Sequence, residues 1–398
     1  MTVLAAAKED QDAVIELTRA LVQVPSRAGI DPYDPIVDLL RGWMREHGLP
    51  DTVLRDGTGA VVGLTTEIRG SHPGPRWVLD ACLDSAPFGD ENAWNHPPTA
   101  GFVNQGWMWG RGSSDCKAAV AIFCHLATRM YASVEQLHGS LVLLFDVDEH
   151  TGRFGGATHY FEGPDAPSDV AGVMIGYPGM DTLVVGGRGV YRARLHVHGI
   201  ASHSGSSGSS PNAIDKAAHL IRELAAADLP DGVRKDFPLP GKLTVTAIDG
   251  GQGYSLTPDL CTVNVDIRTT PTFDEIAASA LVNHLVTRVD GQWPETRLTH
   301  VELTTRWPAY ALPANSRLRM TLLEAAHALG VEVQAKVAGP SNIGNYLAGI
   351  GIPATAGFGV AYTGLHATDE RIRLDTIPTV QAVYHATVLS LLGKSPAW

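Results

Sequence analysis

Apolar positions recur every three to four residues over residues 11–22, where Val14, Ile15, Leu17, Leu21 and Val22 share a face, and this period predicts an amphipathic helix. Residues 35–46 repeat the pattern. Residues 77–82 form a continuous apolar run broken only by Asp80, which predicts a buried strand ending near Asp84. A helix is predicted over 115–129, with Asp115 at its start, and a strongly apolar strand over 140–147. Asp148-Glu149-His150 follows that strand, at the end where open α/β sheets gather ligands. A further short strand is predicted over 171–175. Past Gly187 the pattern changes to alternation, with strands over 191–198, 243–248 and 262–267. Helices are predicted over 211–226, capped by Ser210 with Pro211 at its first position, and over 273–289. A helix over 316–329, a strand over 331–337 and a helix over 378–392 restore the α/β pattern of the N-terminal half. These patterns predict an α/β protein. An α+β block, 188–296, is inserted in a larger domain made of 1–187 and 297–398.

The length of 398 residues exceeds one ordinary domain and agrees with two. A net charge of −12, with no basic block, argues against a nucleic-acid partner. No apolar run approaches the roughly 20 residues of a membrane span, and no leader is expected in residues 1–10. The four cysteines, Cys82, Cys116, Cys124 and Cys261, show no paired spacing, so a reducing cytoplasmic setting is expected.

The chemistry concentrates in Asp84, the run Gly110-Arg-Gly-Ser-Ser-Asp-Cys-Lys117, Glu149, His150 and His366. Each has an ordinary alternative. Asp115 at a loop-to-helix junction reads equally as an N-cap. Glu149 and His150 read as a solvated loop pair, and His366 as a surface histidine. Together, a carboxylate, two histidines and a neighbouring free glutamate are what a catalytic metal requires: three protein ligands, an open position, and a base for water.

In order, Cys82-Leu-Asp84-Ser-Ala-Pro87, Gly89-Asp90 with Trp94 and Pro97, Gly110–Lys117, Asp148-Glu-His-Thr-Gly152, Gly199 through His203 to Asn212-Ala213, and His366 resemble the motifs of the M20 family of metallopeptidases and amidohydrolases. The resemblance spans essentially the whole chain. It implies a mixed-sheet, zinc-peptidase-like catalytic domain with helices on both faces, and an inserted α+β lid and dimerisation domain, hence a homodimer. It implies Asp115 as the carboxylate shared by two metals and His366 as a ligand of the second. It implies Glu149 as general base, Asp84 as the carboxylate that orients a ligand, and His203 as a group stabilising the oxyanion from the partner subunit.

The sequence departs from the family at the first metal. The positions of its histidine and its carboxylate before proline hold Cys82 and Tyr177. The second set keeps Asp115 and His366, with His150 in place of a glutamate. One divalent ion, Mn²⁺, Zn²⁺ or Fe²⁺, on Asp115, His150 and His366 is the expectation, against the rival that a Cys82 thiolate retains the first. Cys82 and Tyr177 are then free to contact substrate. So are Ser255, where many relatives carry asparagine, and Arg188 and Arg268, which suit a substrate carboxylate or structural ion pairs. The expected reaction is hydrolysis of a C–N bond in a small carboxylate-bearing amide. The lost ligands, with Trp94, Trp107, Trp109, Phe358 and Tyr254 near the loops, also admit hydrolytic deamination of an aromatic amine such as a nitroanthranilate. A non-catalytic binding protein and an acyl transferase stand as other readings; retention of Glu149 with its neighbours argues against the first.

Overall fold

The computed structural model describes residues 1–230 and 233–398. The chain divides into two compact units: 1–185 with 312–336 and 351–398, and 186–311 with 337–350. The sequence-based boundary at 296 is corrected by His300–Trp307. This segment is an edge strand of the second unit's sheet, paired with Gly189–His198.

In the first unit the strands run side by side as Thr52–Arg55, Val61–Arg69, His138–Asp146, His72–Asp80, Val170–Ile175, Ala354–Gly357 and Thr182–Gly187. The four central strands, from His138–Asp146 to Ala354–Gly357, are parallel, and their outer neighbours are antiparallel to them. Asp80 lies opposite Leu144 on one side and Ile175 on the other, so the strands end level. The segments that follow, bearing Cys82 and Asp84, Glu149 and His150, and Tyr177, therefore leave the sheet at one end.

Side chains alternate across a strand. Leu141, Leu143 and Phe145, with Leu79 and Met174, face a core that holds Leu21, Phe123 and Tyr384 from the helices Val3–Gln23, Ala118–Tyr131 and Ile377–Leu391. Asp146 points to the opposite face, toward the helix Gly155–Glu162. Gly156 is so close there that a Cβ would sit 2.7 Å from that of Asp146. The first helix begins sooner than the period predicts because Thr2 caps it, accepting the Ala5 amide. The Ser210 cap is likewise corrected: Asn212 accepts the Ile214 amide and the helix is Ala213–Ala225.

The second unit is an antiparallel sheet ordered Lys242–Gly250, Leu260–Thr269, Gly189–His198, His300–Trp307. The helices Ala213–Ala225 and Glu275–Asp290 bury Leu220, Leu224, Val282 and Val286 against its Leu195, Val263 and Ile267. Buried Lys216 ties the two helices through Asp290, 2.7 Å away. No described helix is long and apolar enough to cross a membrane.

One pair on the first sheet breaks its apolar pattern. The carboxylate oxygens of Asp80 and Asp146 are buried and receive no hydrogen bond from any other described group. The two satisfy each other only by holding a proton. Burial, then the Glu149 charge, pushes Asp80 up to about 8, and burial with the Asp80 charge pushes Asp146 up as well. A carboxyl raised in the fold stabilises it below the unfolded value near 4, and that contribution is lost as pH rises toward about 8. Replacing both by asparagine therefore gains stability relative to wild type as pH rises from 4 to 9. About 1 kcal/mol or more is expected, read as roughly 2–4 °C in paired thermal melts.

Candidate metal centre

Asp84 is fully buried, and its carboxylate receives the backbone amides of Glu149 (3.2 Å) and His150 (3.0 Å) and the His150 ring Nδ1 (3.1 Å). This grip orients the imidazole. Its Nε2, buried and without a hydrogen-bond partner, is directed to Asp115 Oδ2 at 3.6 Å. His366 Nε2 lies 2.9 Å from the same oxygen. Ligand atoms of Asp115, His150 and His366 all fall within 4.8 Å of one another, close enough to share an ion. An orphaned ring nitrogen braced from behind by a carboxylate is the arrangement in which a histidine serves a metal. Three carboxylates, Asp84, Asp115 and Glu149, stand beside these two imidazoles. The donors fit a divalent ion.

Asp115 is not an N-cap. Its φ of −124° and ψ of 87° are extended, the helix begins only at Ala118, and its carboxylate faces the histidines. The preceding turn needs Gly112 at φ 79°, where a Cβ would press to 3.2 Å on the buried Lys117 stem. His366 also has positive φ, 58°, just after Gly364 at 77°.

One carboxylate braces both loops. Buried Glu370 accepts the Ser114 amide (3.0 Å) and hydroxyl (2.7 Å) and pairs with Arg111 Nη1 at 2.7 Å, while Arg111 Nη2 donates to the His366 carbonyl (3.2 Å). Sequence reasoning passed over this pair, although Arg111 lies within the Gly110–Lys117 motif. Glu370→Ala leaves a buried guanidinium unpaired, with an expected loss of about 3–5 kcal/mol in denaturant unfolding. In metal titration it also weakens binding by roughly 10–100-fold, as loss of a ligand's support does.

Glu149 has a partly exposed carboxylate, with Oε2 3.5 Å from His150 Nδ1. Burial, and then the charge of Asp115, pushes it up to about 7. Burial works against ionised Asp115 too, but the His150 and His366 rings beside it hold it well below the usual carboxylate range. His150 is pushed down by burial and, more strongly, held up by Asp115 and Asp84.

Cys82 and Tyr177 lie at the same centre. The Cys82 thiol is pushed well up by its hydrogen bond with Cys116 and by burial. The Tyr177 phenol is pushed up by burial, then by the charges of Asp115 and Cys116. Cys116, which sequence reasoning assigned no role, donates to Asp115 Oδ1 at 2.8 Å.

The remaining predicted residues lie in the second unit. His203 is exposed and accepts the Gly205 amide at Nδ1, 3.0 Å away. Ser255 is exposed, and its carbonyl receives the Ser204 amide. Arg268 is committed to Asp266 at 2.7 Å, the ion-pair alternative. Arg188 donates to the carbonyls of Gly339 and Pro240. The aromatic residues divide differently from an aromatic-lined pocket. Trp94 and Phe358 are buried, with Trp94 donating to the Phe88 carbonyl, and Tyr254 is fully exposed. Arg371 lies over Trp107 and Trp109.

Carboxylate and imidazole side chains that could hold a metal gather beyond the ends of the parallel strands of this mixed sheet, and the family to which the chain belongs makes it a metal-dependent amidohydrolase. The chain belongs to peptidase family M20/M25/M40, whose pattern matches residues 78–390. It is similar to succinyl-diaminopimelate desuccinylase of Stenotrophomonas maltophilia, 27% identical over 394 residues, covering 96% of this chain and 99% of the relative. Its fold resembles an M20 family metallo-carboxypeptidase of Sulfolobus solfataricus (TM-score 0.77, 16% identity, 95% of this chain and 98% of that one). It also resembles a dinuclear metal binding peptidase of Bacillus subtilis (TM-score 0.70, 16% identity, 97% and 99%).

Proposed function

We propose that this protein hydrolyses the C–N bond of a small carboxylate-bearing substrate, an N-acyl amino acid or dipeptide-like amide, with one catalytic divalent ion held by Asp115, His150 and His366. The observation that carries this reading is the buried, partnerless His150 Nε2 facing Asp115 and His366. Mn²⁺, Zn²⁺ and Fe²⁺ all suit two imidazoles and a carboxylate, and the ion supplies Lewis acidity to the reacting carbonyl and water. Glu149 takes the proton of the attacking water and passes it to the leaving nitrogen; a carboxyl held near 7 is matched to both transfers. Asp84 keeps His150 in the tautomer that presents Nε2.

His203 acts on the oxyanion from a partner subunit. Its imidazole is exposed, and the strand Lys242–Gly250 leaves one edge of its sheet unpaired among the described residues, which supports a homodimer built on that edge. Arg188, bonded only to carbonyls, is the stronger of the two arginines for a substrate carboxylate, with Cys82, Tyr177 and Ser255 as further contacts. Four buried, unpaired cysteines favour a cytoplasmic setting.

Deamination of an aromatic amine is the second reading. It rests on Cys82 and Tyr177 standing where the family places ligands, and it loses support from the burial of Trp94 and Phe358. A panel of N-succinyl and N-acetyl amino acids, dipeptides and aryl amines decides between them. Release of carboxylate and amine from the amides is expected. Ammonia from an aryl amine, with the amides untouched, overturns the first reading.

A further inference from the structure

The helix Ala118–Tyr131 starts just past the metal loop, and its other end borders a cleft of about 660 Å³. His125 and Arg129, which line the cleft, stand roughly 10 and 16 Å along the helix axis from Ala118. The remaining walls are the helices Val3–Gln23 and Ile377–Leu391 and the segment that follows the latter. All of these elements belong to the first unit, and the volume is that of a small-molecule site. No group assigned to the metal centre or to substrate lines it.

The charges of this lining are unevenly matched. Asp10 accepts from Arg129 Nη2 at 2.7 Å and from Gln381 Nε2 at 2.6 Å, and Arg129 also pairs with Glu9 at 3.1 Å. Lys394 has no ion pair among the described residues, and Arg129 Nη1 donates to none of them. Lys394 is held in place by its backbone: Gly393 turns the chain at φ 78°, and the Lys394 amide donates to the Leu389 carbonyl at 2.9 Å. Three histidines, His47, His125 and His385, complete the polar lining. Burial pushes His125 and His385 down to about 4, so both rings are neutral at pH 7. His125 is 6% exposed, and its Nε2 is buried without a hydrogen-bond partner. No described trio here brings metal-ligand atoms together as the metal centre does, and Lys394 and Arg129 oppose a cation.

We propose that this cleft is a second small-molecule site, for a monocarboxylate with a short apolar chain. Lys394 Nζ and Arg129 Nη1 take the carboxylate, and Val3, Ala6 and Leu389 take the chain. One unanswered positive charge matches one carboxylate, and a hydrogen bond between ionised partners is the strong kind. The neutral imidazoles add polar partners without a second charge, so a doubly charged head group leaves one of its charges unmet.

The test is equilibrium dialysis of the full chain against radiolabelled hexanoate, with hexylamine as the cation of equal length. Hexanoate binding that depends on Lys394 is expected, and hexylamine binds at least about tenfold more weakly. Lys394→Glu weakens hexanoate by at least about tenfold, the loss of one charged hydrogen bond. Lys8→Glu makes the same charge change on an exposed position of the helix Val3–Gln23 outside the cleft, and leaves binding within about twofold. Asp115→Ala, in which the metal ligand set is broken, keeps the Lys394-dependent binding, so a carboxylate held at the metal centre is told apart from one held here. Hexanoate binding that survives Lys394→Glu at full strength, or that Asp115→Ala abolishes, overturns the proposal. So does a protein that takes up no hexanoate, or takes up hexylamine equally well. Circular dichroism checks the fold of each variant, and Lys394→Met, which removes the charge and keeps the length, decides if Lys394→Glu fails to fold.

Discussion

An Asp115→Ala protein keeps its helices and loses its metal. Asp115 Oδ2 is the point on which His150 and His366 converge, and no other described carboxylate groups with both rings. Removing it leaves two imidazoles to hold a divalent ion alone. Affinity falls at least on the order of a hundredfold, beyond the loss expected from changing Asp84, which meets the His150 ring only at Nδ1, the nitrogen away from Asp115. Metal analysis after dialysis gives the stoichiometry, and far-ultraviolet circular dichroism establishes that Ala118–Tyr131 still forms. Metal retained at wild-type affinity would remove Asp115 from the ligand set.

Glu149→Gln keeps the shape of the side chain and removes its basicity. A positioned general acid–base contributes about 10²–10⁴ in rate, or roughly 3–5 kcal/mol of barrier, so kcat falls by that factor while KM and metal content stay near wild type. The pH profile gives a second readout. The base works ionised, so activity drops as pH falls through its pKa. Without an ion that value is about 7, and a neighbouring cation lowers it, placing the acidic limb of kcat/KM at or below pH 7. The limb disappears in Glu149→Gln. A variant with undiminished turnover would favour the binding-protein reading.

The strong apolar periods were legible in the sequence because burial on both faces leaves little choice of residue. Residues 140–147 are the clearest case, and the cluster after them follows from where such strands end. His300–Trp307 was not legible. It is an edge strand with half its residues exposed, so its alternation is blurred and only pairing with Gly189–His198 defines it. Asp115 reads as an N-cap in any local window. What makes it otherwise is His366, 251 residues away in sequence. The Arg111–Glu370 brace and the meeting of Cys82 with Cys116 are likewise long-range contacts between residues of unexceptional type. The Asp80–Asp146 pair is a buried exception that hydropathy alone reads as two polar interruptions.

That 251-residue separation would make an ion held, as proposed, between Asp115 and His366 a clasp as well as a reagent. An unfolded chain that brought residues 115 and 366 together would forfeit roughly 5 kcal/mol of loop entropy, so the ion recognises the folded chain and scarcely the unfolded one. At a hundred times its dissociation constant it then adds about 2.7 kcal/mol to stability. The cell's supply of metal would thereby bear on the lifetime of the fold. Copies without an ion would forgo that increment of stability as well as the chemistry the ion supplies.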